Sequence, residues 1–189
     1  MNGRLLFEKY GHLIETIVAV EKLIPRKIRE MQFNRIRNKD GKIAMLRRFI
    51  LLKTLAKKVG DNVAIFPGVY FENIDNLIIG SNVSIHQMCY IDAEGGIEIG
   101  DNVSIAHRST LLSSNHGYKD TSIPIKYQRM ILAKTTLEND IWIGCGCTIL
   151  AGVRIETGCV IGANSTVTRN LETNSIAVGS PAKTIRKRL

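Results

Sequence analysis

Four histidines are the side chains in this sequence best suited to move a proton near neutral pH: His12, His86, His107 and His116. A neutral imidazole can take a proton from an attacking hydroxyl or amine. His116 ends the segment LLSSNH, where a regular repeat stops and a longer excursion begins. Because loops that leave a rigid scaffold commonly carry functional groups, His116 is the first candidate. We interpret His107 as an outward surface residue within a repeat, and His12 as part of an amphipathic helix.

Four cysteines occur in the chain, and two of them form the short segment Cys145-Gly146-Cys147. With one residue between the sulfurs and no second pair, this segment resembles neither a zinc knuckle nor a CxxC redox motif. We interpret Cys147 as a small core residue and expect no metal. The N-terminus carries glutamates through its apolar stretch, unlike a signal peptide, and this predicts a reduced, cytoplasmic protein. No apolar run approaches the ~18 residues that span a bilayer.

Residues 1–58 have the apolar spacing of helices. Apolar residues recur every three or four positions in LIETIVAVEKLI and in KIAMLRRFILLKTLAKK, with Pro25 and the turn Asn38-Lys39-Asp40-Gly41 as breaks. The segment therefore predicts two or three helices. With 44% hydrophobic and 23% charged residues, a chain of 189 residues can bury one main core and carry a small appendage.

A different period begins at Val59, where branched aliphatic residues start to recur at every sixth position. These anchor positions form runs: Val59 and Ile65; Ile79, Ile85 and Ile91; Ile99, Ile105 and Leu111; and Leu137, Ile143, Ile149, Ile155, Ile161 and Val167. Four residues after an anchor comes a second position that is usually small or branched, such as Val83, Cys89, Val103, Ser109, Ile141, Cys147, Val153, Cys159 and Ser165. A chance pattern would lose its phase over so many steps.

Six residues supply one short strand and one tight turn. Three such units complete a triangular coil of roughly 18 residues, and the next coil stacks about 4.8 Å above it. Anchors that point inward form the core, while Gly, Asn and Asp at the corners tolerate positive φ. The sequence thus predicts a parallel β-helix over 59–180 and a basic tail at 181–189. Buried strands of an ordinary sandwich are the alternative.

Two breaks in the register indicate where this scaffold can carry a binding or catalytic site. Two extra residues fall within Asp92-Ala93-Glu94-Gly95-Gly96, which brings two carboxylates into a turn. A longer excursion runs from about 116 to 133. A solvated turn is the alternative interpretation of the first break.

The positive charge is unevenly distributed. The formal net charge is +9, and much of it lies before Gly60, with a second basic cluster in the final segment IRKRL. A basic surface can simply be solvated, or it can bind an anionic small ligand, an anionic membrane or nucleic acid. The few aromatic residues do not interleave with the basic ones as in single-strand-binding proteins, so we expect no nucleic-acid partner. Peripheral contact of the basic N-terminal helices with the inner face of a membrane stays open.

The segments IWIG, ILAGVRI, IGANSTVT and NSIAVGSPAK, in this order from Leu137 to the end, resemble the C-terminal signature of the galactoside and maltose acetyltransferase group of hexapeptide-repeat acyltransferases. The similarity extends back through IGDNVSI and SSNH to about Val59 and leaves out residues 1–58. The resemblance implies a left-handed parallel β-helix, a handedness that spacing alone does not establish. It also implies a homotrimer with active sites between subunits, and acetyl-CoA or another acyl-CoA as the acyl donor.

The same resemblance implies roles for residues around the register breaks. His116 matches the catalytic histidine, which accepts the proton of the acceptor as that acceptor attacks the thioester. Asp92 and Glu94 match the region that presents a carboxylate to a sugar hydroxyl, Glu94 more closely. Asn115, which precedes the base, is a further residue expected to bind the substrate. His86 stands where related enzymes often have an asparagine that touches the acceptor. This departure leaves three roles open for His86: binding the acceptor, positioning His116, or facing solvent.

The resemblance also implies a cofactor site made of small side chains along the pantetheine arm and cations at the nucleotide phosphates. We expect Trp142 to pack at a coil corner near the thiol end. The implied cofactor-binding residues are Trp142, Cys145, Ala163, Thr168, Arg169, Lys183 and Arg186. Related enzymes often have Lys where this chain has Arg169, so the charge is retained. Solvated surface cations are the alternative interpretation.

Taken together, these features predict an O-acetyltransferase that acts on a hydroxyl of a sugar or glycan precursor. The alternatives within the enzyme class are N-acylation of a sugar nucleotide, acetylation of an antibiotic and acetylation of serine. A γ-type carbonic anhydrase would use His86, His107 and His116 as zinc ligands, but their spacing does not match that class. A non-catalytic β-helix trimer that serves as a scaffold is the remaining alternative.

Overall fold

In a computed structural model, the described residues are 3–189, with side chains described from Tyr10 onward. Three helices come first: α1 (Gly3–Glu21), α2 (Arg26–Ile36) and α3 (Lys42–Leu55). Pro25 and Gly41 immediately precede α2 and α3, so both predicted breaks are confirmed. The first two residues of the predicted helical segment lie outside the described part of the chain.

The helices form a cap on the start of the β-rich part, and α3 is its centre. Most of the second half of α3 is buried, and α3 lies against both α1 and α2. The fully buried Arg48 donates hydrogen bonds to the backbone oxygens of Ile65, Ile36 and Lys39, at 2.8, 3.0 and 2.6 Å. This cation therefore joins the cap to the first coil, because it satisfies carbonyl groups from both.

The remaining chain is a parallel β-helix of about six turns, whose strands stack into three sheets. Face A contains β1 (Lys58–Val59), β4 (Leu77–Ile79), β7 (Ile97–Ile99), β12 (Thr135–Leu137) and β15 (Arg154–Ile155). Face B contains β2 (Ala64–Ile65), β5 (Ser84–Ile85), β8 (Ser104–Ile105), β13 (Trp142–Ile143), β16 (Val160–Ile161), β18 (Ser175–Gly179) and β19 (Ala182–Lys187). Face C contains β3 (Tyr70–Glu72), β6 (Tyr90–Asp92), β9 (Thr110–Leu112), β14 (Thr148–Ile149) and β17 (Thr166–Val167). An antiparallel arm contains β10 (Ser114–His116) and β11 (Met130–Leu132).

The register confirms the period of six. Anchors pair with anchors in successive coils, as in Ile85 with Ile105 and Ile143 with Ile161. Every predicted anchor and every predicted second position is buried. A continuous column of aliphatic side chains therefore forms the core, and no coil could bury its anchors without its neighbours.

Coil length changes along the helix. Val59 pairs with Ile79 and Ile79 with Ile99, whereas Leu137 pairs with Ile155, so the early coils are two residues longer. The extra residues lie between faces C and A, and we call the edge between these faces the C–A corner. The first coil has this excess at Ile74–Asn76, which the repeat pattern alone did not reveal.

The C-terminal tail is part of the fold. β19 runs antiparallel to β18 and closes face B. Arg188 donates to the Gly158 carbonyl and to Asp140, each at 3.0 Å. Within the described residues, no helix has the length and apolar character needed to cross a membrane.

Candidate functional site

The arm that carries His116 leaves the β-helix at the C–A corner. β10 and β11 pair with Asn115 opposite Ile131 and His116 opposite Met130. The side chains of Asn115 and His116 are both exposed, while Ser113 and Ser114, just before them, are buried. The imidazole therefore lies outside the packed core, on a strand whose first residues are anchored in it.

Asp92 anchors that strand. Its Oδ2 accepts a 2.7 Å hydrogen bond from Ser114 Oγ, and its backbone oxygen accepts one of 2.7 Å from Ser113 Oγ. Its Oδ1 accepts from the Glu94 backbone N–H at 3.1 Å and from Asn73 Nδ2 at 3.2 Å. One carboxylate thus connects three successive coils at the C–A corner, and this geometry assigns it an internal bonding role.

Glu94 lies in the same turn as Asp92, one coil below the arm, and its side chain is half-buried. The Glu94 backbone oxygen accepts from Asn76 Nδ2 at 3.1 Å. The C–A corner therefore brings together Asp92, Glu94, Asn115 and His116, four of the predicted site residues. A general base at the corner that also holds Glu94 can accept a proton from a hydroxyl that this carboxylate orients.

His86 lies elsewhere, on the edge between faces B and C, which we call the B–C corner. Its ring stacks on that of Phe66, with centroids 4.5 Å apart and planes 9° from parallel. Burial, and secondarily the nearby His107, lowers the pKa of His86. Burial therefore favours the neutral form of the His86 ring, and within one chain this ring does not lie on the arm with His116.

Two of the predicted cofactor residues, Cys145 and Ala163, follow His107 along the same B–C corner. The Gly146 N–H donates to the His107 carbonyl at 3.0 Å, and the Asn164 N–H donates to the Cys145 carbonyl at 2.8 Å. A shallow cavity of about 420 Å³ opens here, lined by His107, Arg108, Cys145, Gly146 and Asn164. The column of small residues leaves room for a thin ligand to lie along the corner.

Sequence reasoning did not single out Arg108 and Asn164, although both line that cavity. Both have positive φ, 61° for Arg108 and 56° for Asn164. A non-glycine residue in this region of φ/ψ space is uncommon, and the corner position in the repeat was the signal that could have identified them.

Trp142 is exposed on strand β13 of face B, and not at a corner as expected. Its position follows from the repeat, because the residue before an inward-pointing anchor on a short strand must point outward. The ring therefore lies on the outer surface of face B, three residues before Cys145 at the B–C corner.

Four other residues predicted to bind the cofactor lie at the C–A corner and on β19. Thr168 and Arg169 lie at the C–A corner, after β17, and both are exposed. Lys183 and Arg186 are exposed on β19, where they lie opposite Val178 and Ile176 of β18. Arg169, Lys183 and Arg186 form no ion pair with any described residue.

His116 and the predicted cofactor residue Cys145 therefore lie at opposite ends of face C, whereas Arg169 shares the C–A corner with His116. Cys145 precedes β14, whereas Gly152 follows it and donates to Ala133 at the base of the arm. At about 3.3 Å per residue, the two corners are roughly 15 to 20 Å apart. A single chain does not bring His116 to Cys145. Nor do the described side chains contain a group of three histidine, cysteine or acidic residues arranged for a metal ion.

Comparison with known proteins identifies the repeat. Residues 134–169 match the family model described as "Bacterial transferase hexapeptide (six repeats)". The chain is 34% identical over 146 residues to the galactoside O-acetyltransferase of Escherichia coli K12, an alignment that covers 75% of this chain and 68% of that protein. It is also 46% identical over 54 residues to a chloramphenicol acetyltransferase of Agrobacterium fabrum, which covers 29% of this chain and 26% of that protein. The chain spans between 25% and 30% of the length of the first curated relatives it matches.

Two solved structures share the architecture. A galactoside acetyltransferase in complex with coenzyme A superposes with a TM-score of 0.74 at 29% identity, over 86% of this chain and 82% of that one. A maltose O-acetyltransferase from Clostridium difficile 630 superposes with a TM-score of 0.75 at 26% identity, over 86% and 85% of the two chains. The chain belongs to the hexapeptide-repeat acetyltransferase family and is similar in sequence and structure to its galactoside and maltose O-acetyltransferases.

Proposed function

We propose that this protein transfers an acetyl group from acetyl-CoA to a hydroxyl of a sugar or glycan precursor, with His116 as the general base. The observation that carries the proposal is the placement of an exposed His116 at the C–A corner, which also holds Glu94, on a strand anchored through Asp92. Similarity to the galactoside and maltose enzymes supports the same reaction class.

The proposed reaction is a direct transfer. A neutral His116 takes the proton of the acceptor hydroxyl as its oxygen attacks the thioester carbonyl, and a backbone N–H stabilises the oxyanion. The tetrahedral intermediate then expels the CoA thiolate, which takes the proton back from His116. The products are an acetyl ester and CoA, and no acyl-enzyme forms. Glu94 orients the acceptor hydroxyl, and Asn115 provides a further polar contact.

Acetyl-CoA would lie along the small residues of the B–C corner of one subunit. Cys145 and Ala163 flank the pantetheine arm, with Trp142 on the approach from face B. Arg169, Lys183 and Arg186 are exposed cations that can donate charge-assisted hydrogen bonds to the phosphates. A solved relative of 29% identity contains coenzyme A, which supports this assignment.

The active site would form between the subunits of a homotrimer. Since the two corners that hold the predicted site lie at opposite ends of face C, a second copy must bring its B–C corner to the C–A corner of the first. The first outward residue of each face-C strand is uncharged and suits an interface: Tyr70, Tyr90, Thr110, Thr148 and Thr166. The arm also presents Met130, Ile131 and Leu132 to solvent in the single chain, and a neighbouring subunit would cover them.

The acceptor class rests on Glu94 at the C–A corner and on the basic helical cap. We place the reaction in the cytoplasm, with contact between the cap and an anionic membrane, where precursors of surface glycans are found. His86 lies beside the proposed interface, where it can meet the acceptor of a neighbouring subunit.

The test is CoA release from acetyl-CoA, measured with a thiol reagent over a panel of sugars, sugar nucleotides, amino acids and chloramphenicol. We expect release that depends on a sugar, and a fall of roughly a hundredfold or more in kcat for His116→Ala. His12→Ala is the matched control, because that histidine is exposed on α1, outside the predicted site. Unchanged release by His116→Ala would remove this residue from the mechanism, and transfer only to an amine would overturn O-acetylation.

A further inference from the structure

The helical cap carries the whole net charge of the chain. Residues 1–58 contain 15 Lys and Arg against 5 Asp and Glu, whereas residues 59–189 contain 11 against 12. The cap is therefore strongly cationic and the β-helix is close to neutral. Such a partition concentrates attraction for an anionic partner at one end of the molecule.

One side of α2 holds the cap together. Phe33 is buried and packs against Phe71 of face C, with ring centroids 5.9 Å apart. Arg26 pairs with Asp75 at 2.7 Å, and Arg29 donates to the Ile24 carbonyl at 2.9 Å. The inward cations of α2 are thus engaged in bonds within the fold.

The opposite side of α2 has no such contacts. Lys27, Ile28, Met31 and Arg35 recur at the spacing of a single helical face. Ile28 is 43% exposed and Met31 67% exposed, and both cations are exposed as well. Neither Lys27 nor Arg35 forms an ion pair with a described residue, and this side of α2 bears no acidic residue. We call these four residues the outer face of α2.

Exposed apolar side chains continue past both ends of the helix. Leu23, in the turn before α2, is 82% exposed, and Ile43, at the start of α3, is 87% exposed. Each stands next to an exposed lysine, Lys22 and Lys42 respectively. Large apolar groups interleaved with lysine and arginine on a helix surface are typical of segments that lie in the membrane interface.

We propose that the outer face of α2 docks on an anionic lipid bilayer. Lys27 and Arg35 meet the headgroup phosphates, while Ile28 and Met31 enter the boundary between headgroups and acyl chains. Nucleic acid would satisfy the cations but would leave the apolar side chains without a complement. In the proposed trimer, three parallel caps lie at one end of the assembly, so three weak contacts add through avidity.

The experiment is cosedimentation of the full-length protein with vesicles. Vesicles of phosphatidylcholine with about a third phosphatidylglycerol are compared with pure phosphatidylcholine, at low and at physiological ionic strength. We expect binding to the anionic vesicles that weakens with salt. Lys27→Gln together with Arg35→Gln should weaken it roughly tenfold or more, and Met31→Asp should weaken it even at low salt.

Lys134→Gln together with Arg154→Gln is the matched control. It removes the same two charges from face A, where both residues are exposed. Equal binding by the two double variants, or equal binding to neutral vesicles, overturns the proposal. So does a change from trimer to monomer in the α2 variants by light scattering, because the outer face would then be an interface between copies. Acetyl transfer to a soluble acceptor reports separately on the proposed activity, which these variants should retain.

Discussion

Ser114 Oγ donates a 2.7 Å hydrogen bond to Asp92 Oδ2, and this bond fixes the strand of the arm two residues before His116. The same carboxylate accepts from the Glu94 backbone N–H, so one side chain holds both the proposed base and the proposed acceptor ligand. Its oxygens are occupied within the chain. We therefore propose that Asp92 is a positioning residue and that Glu94 is the carboxylate that meets the substrate.

Removing this bond should reduce turnover more than binding. For Ser114→Ala we expect kcat to fall roughly three- to tenfold with KM for acetyl-CoA unchanged, since small displacements of a catalytic group are costly. Asp92→Asn should have a similar or larger effect, because an amide can replace only part of the acceptor set. Steady-state kinetics with both substrates varied measure the effects on kcat and on KM separately. A rise in KM for acetyl-CoA with kcat preserved would contradict the positioning role.

Trimer formation should depend on the outward side of face C. Thr148→Arg places a long cation among the uncharged residues proposed to meet another subunit, so we expect a monomer of 21.0 kDa with little transferase activity. Thr136→Arg introduces the same side chain on the outward side of face A and serves as the control. Light scattering after gel filtration measures the mass. A Thr148→Arg protein that stays trimeric would show that subunits meet elsewhere.

Cofactor affinity should depend on Arg169. Arg169→Gln removes an exposed cation from the C–A corner, and we expect the Kd for acetyl-CoA to rise about five- to tenfold in calorimetric titration. Arg154→Gln removes the same charge from face A, where its partner is Glu138, and should leave the Kd within twofold. Equal effects of the two substitutions would point to net charge and not to a phosphate contact.

Stability should depend on Arg48. Arg48→Met removes the buried side-chain donor of three backbone carbonyls, and we expect the protein to lose about 3 kcal/mol of unfolding free energy in urea titration. Lys42→Met, on the exposed start of the same helix, should cost less than about 0.5 kcal/mol. Equal stability of the two variants would mean that the cap and the first coil hold together without this cation.

Residue pattern alone predicted much of the fold. A period of six is hard to satisfy in any other architecture, and each predicted anchor is buried in the structure. The helix breaks at Pro25 and Gly41 could also be predicted from the sequence, because proline restricts φ and glycine tolerates values of φ that other residues avoid. Handedness came from family resemblance only, since six-residue spacing is the same for either hand.

The arrangement of the site was harder to predict from the residue pattern. His116 could be placed at the end of a repeat, but the corner it occupies depends on how many residues each earlier coil contains. Two extra residues in each of the first two coils are accommodated at the C–A corner, and the adjacent face-A strands stay in register. Arg108 and Asn164 were not predicted as site residues, because the cavity that they line is formed by residues that are distant from one another in the sequence.

The repeat of six predicted a stack of short strands with an excursion from about 116 to 133, because inward positions must be apolar and must repeat in phase for coils to bury one another. The structure begins that excursion at Ser114, with strand β10. The sequence by itself also determined that the positive charge belongs to the helices. Only the tertiary structure decided that His116 and Cys145 lie at opposite ends of face C, that Asp92 is bonded internally, and which side of α2 remains uncovered. These relations arise from pairing between coils and from packing of the cap, and such contacts are set by three-dimensional neighbours rather than by spacing along the chain.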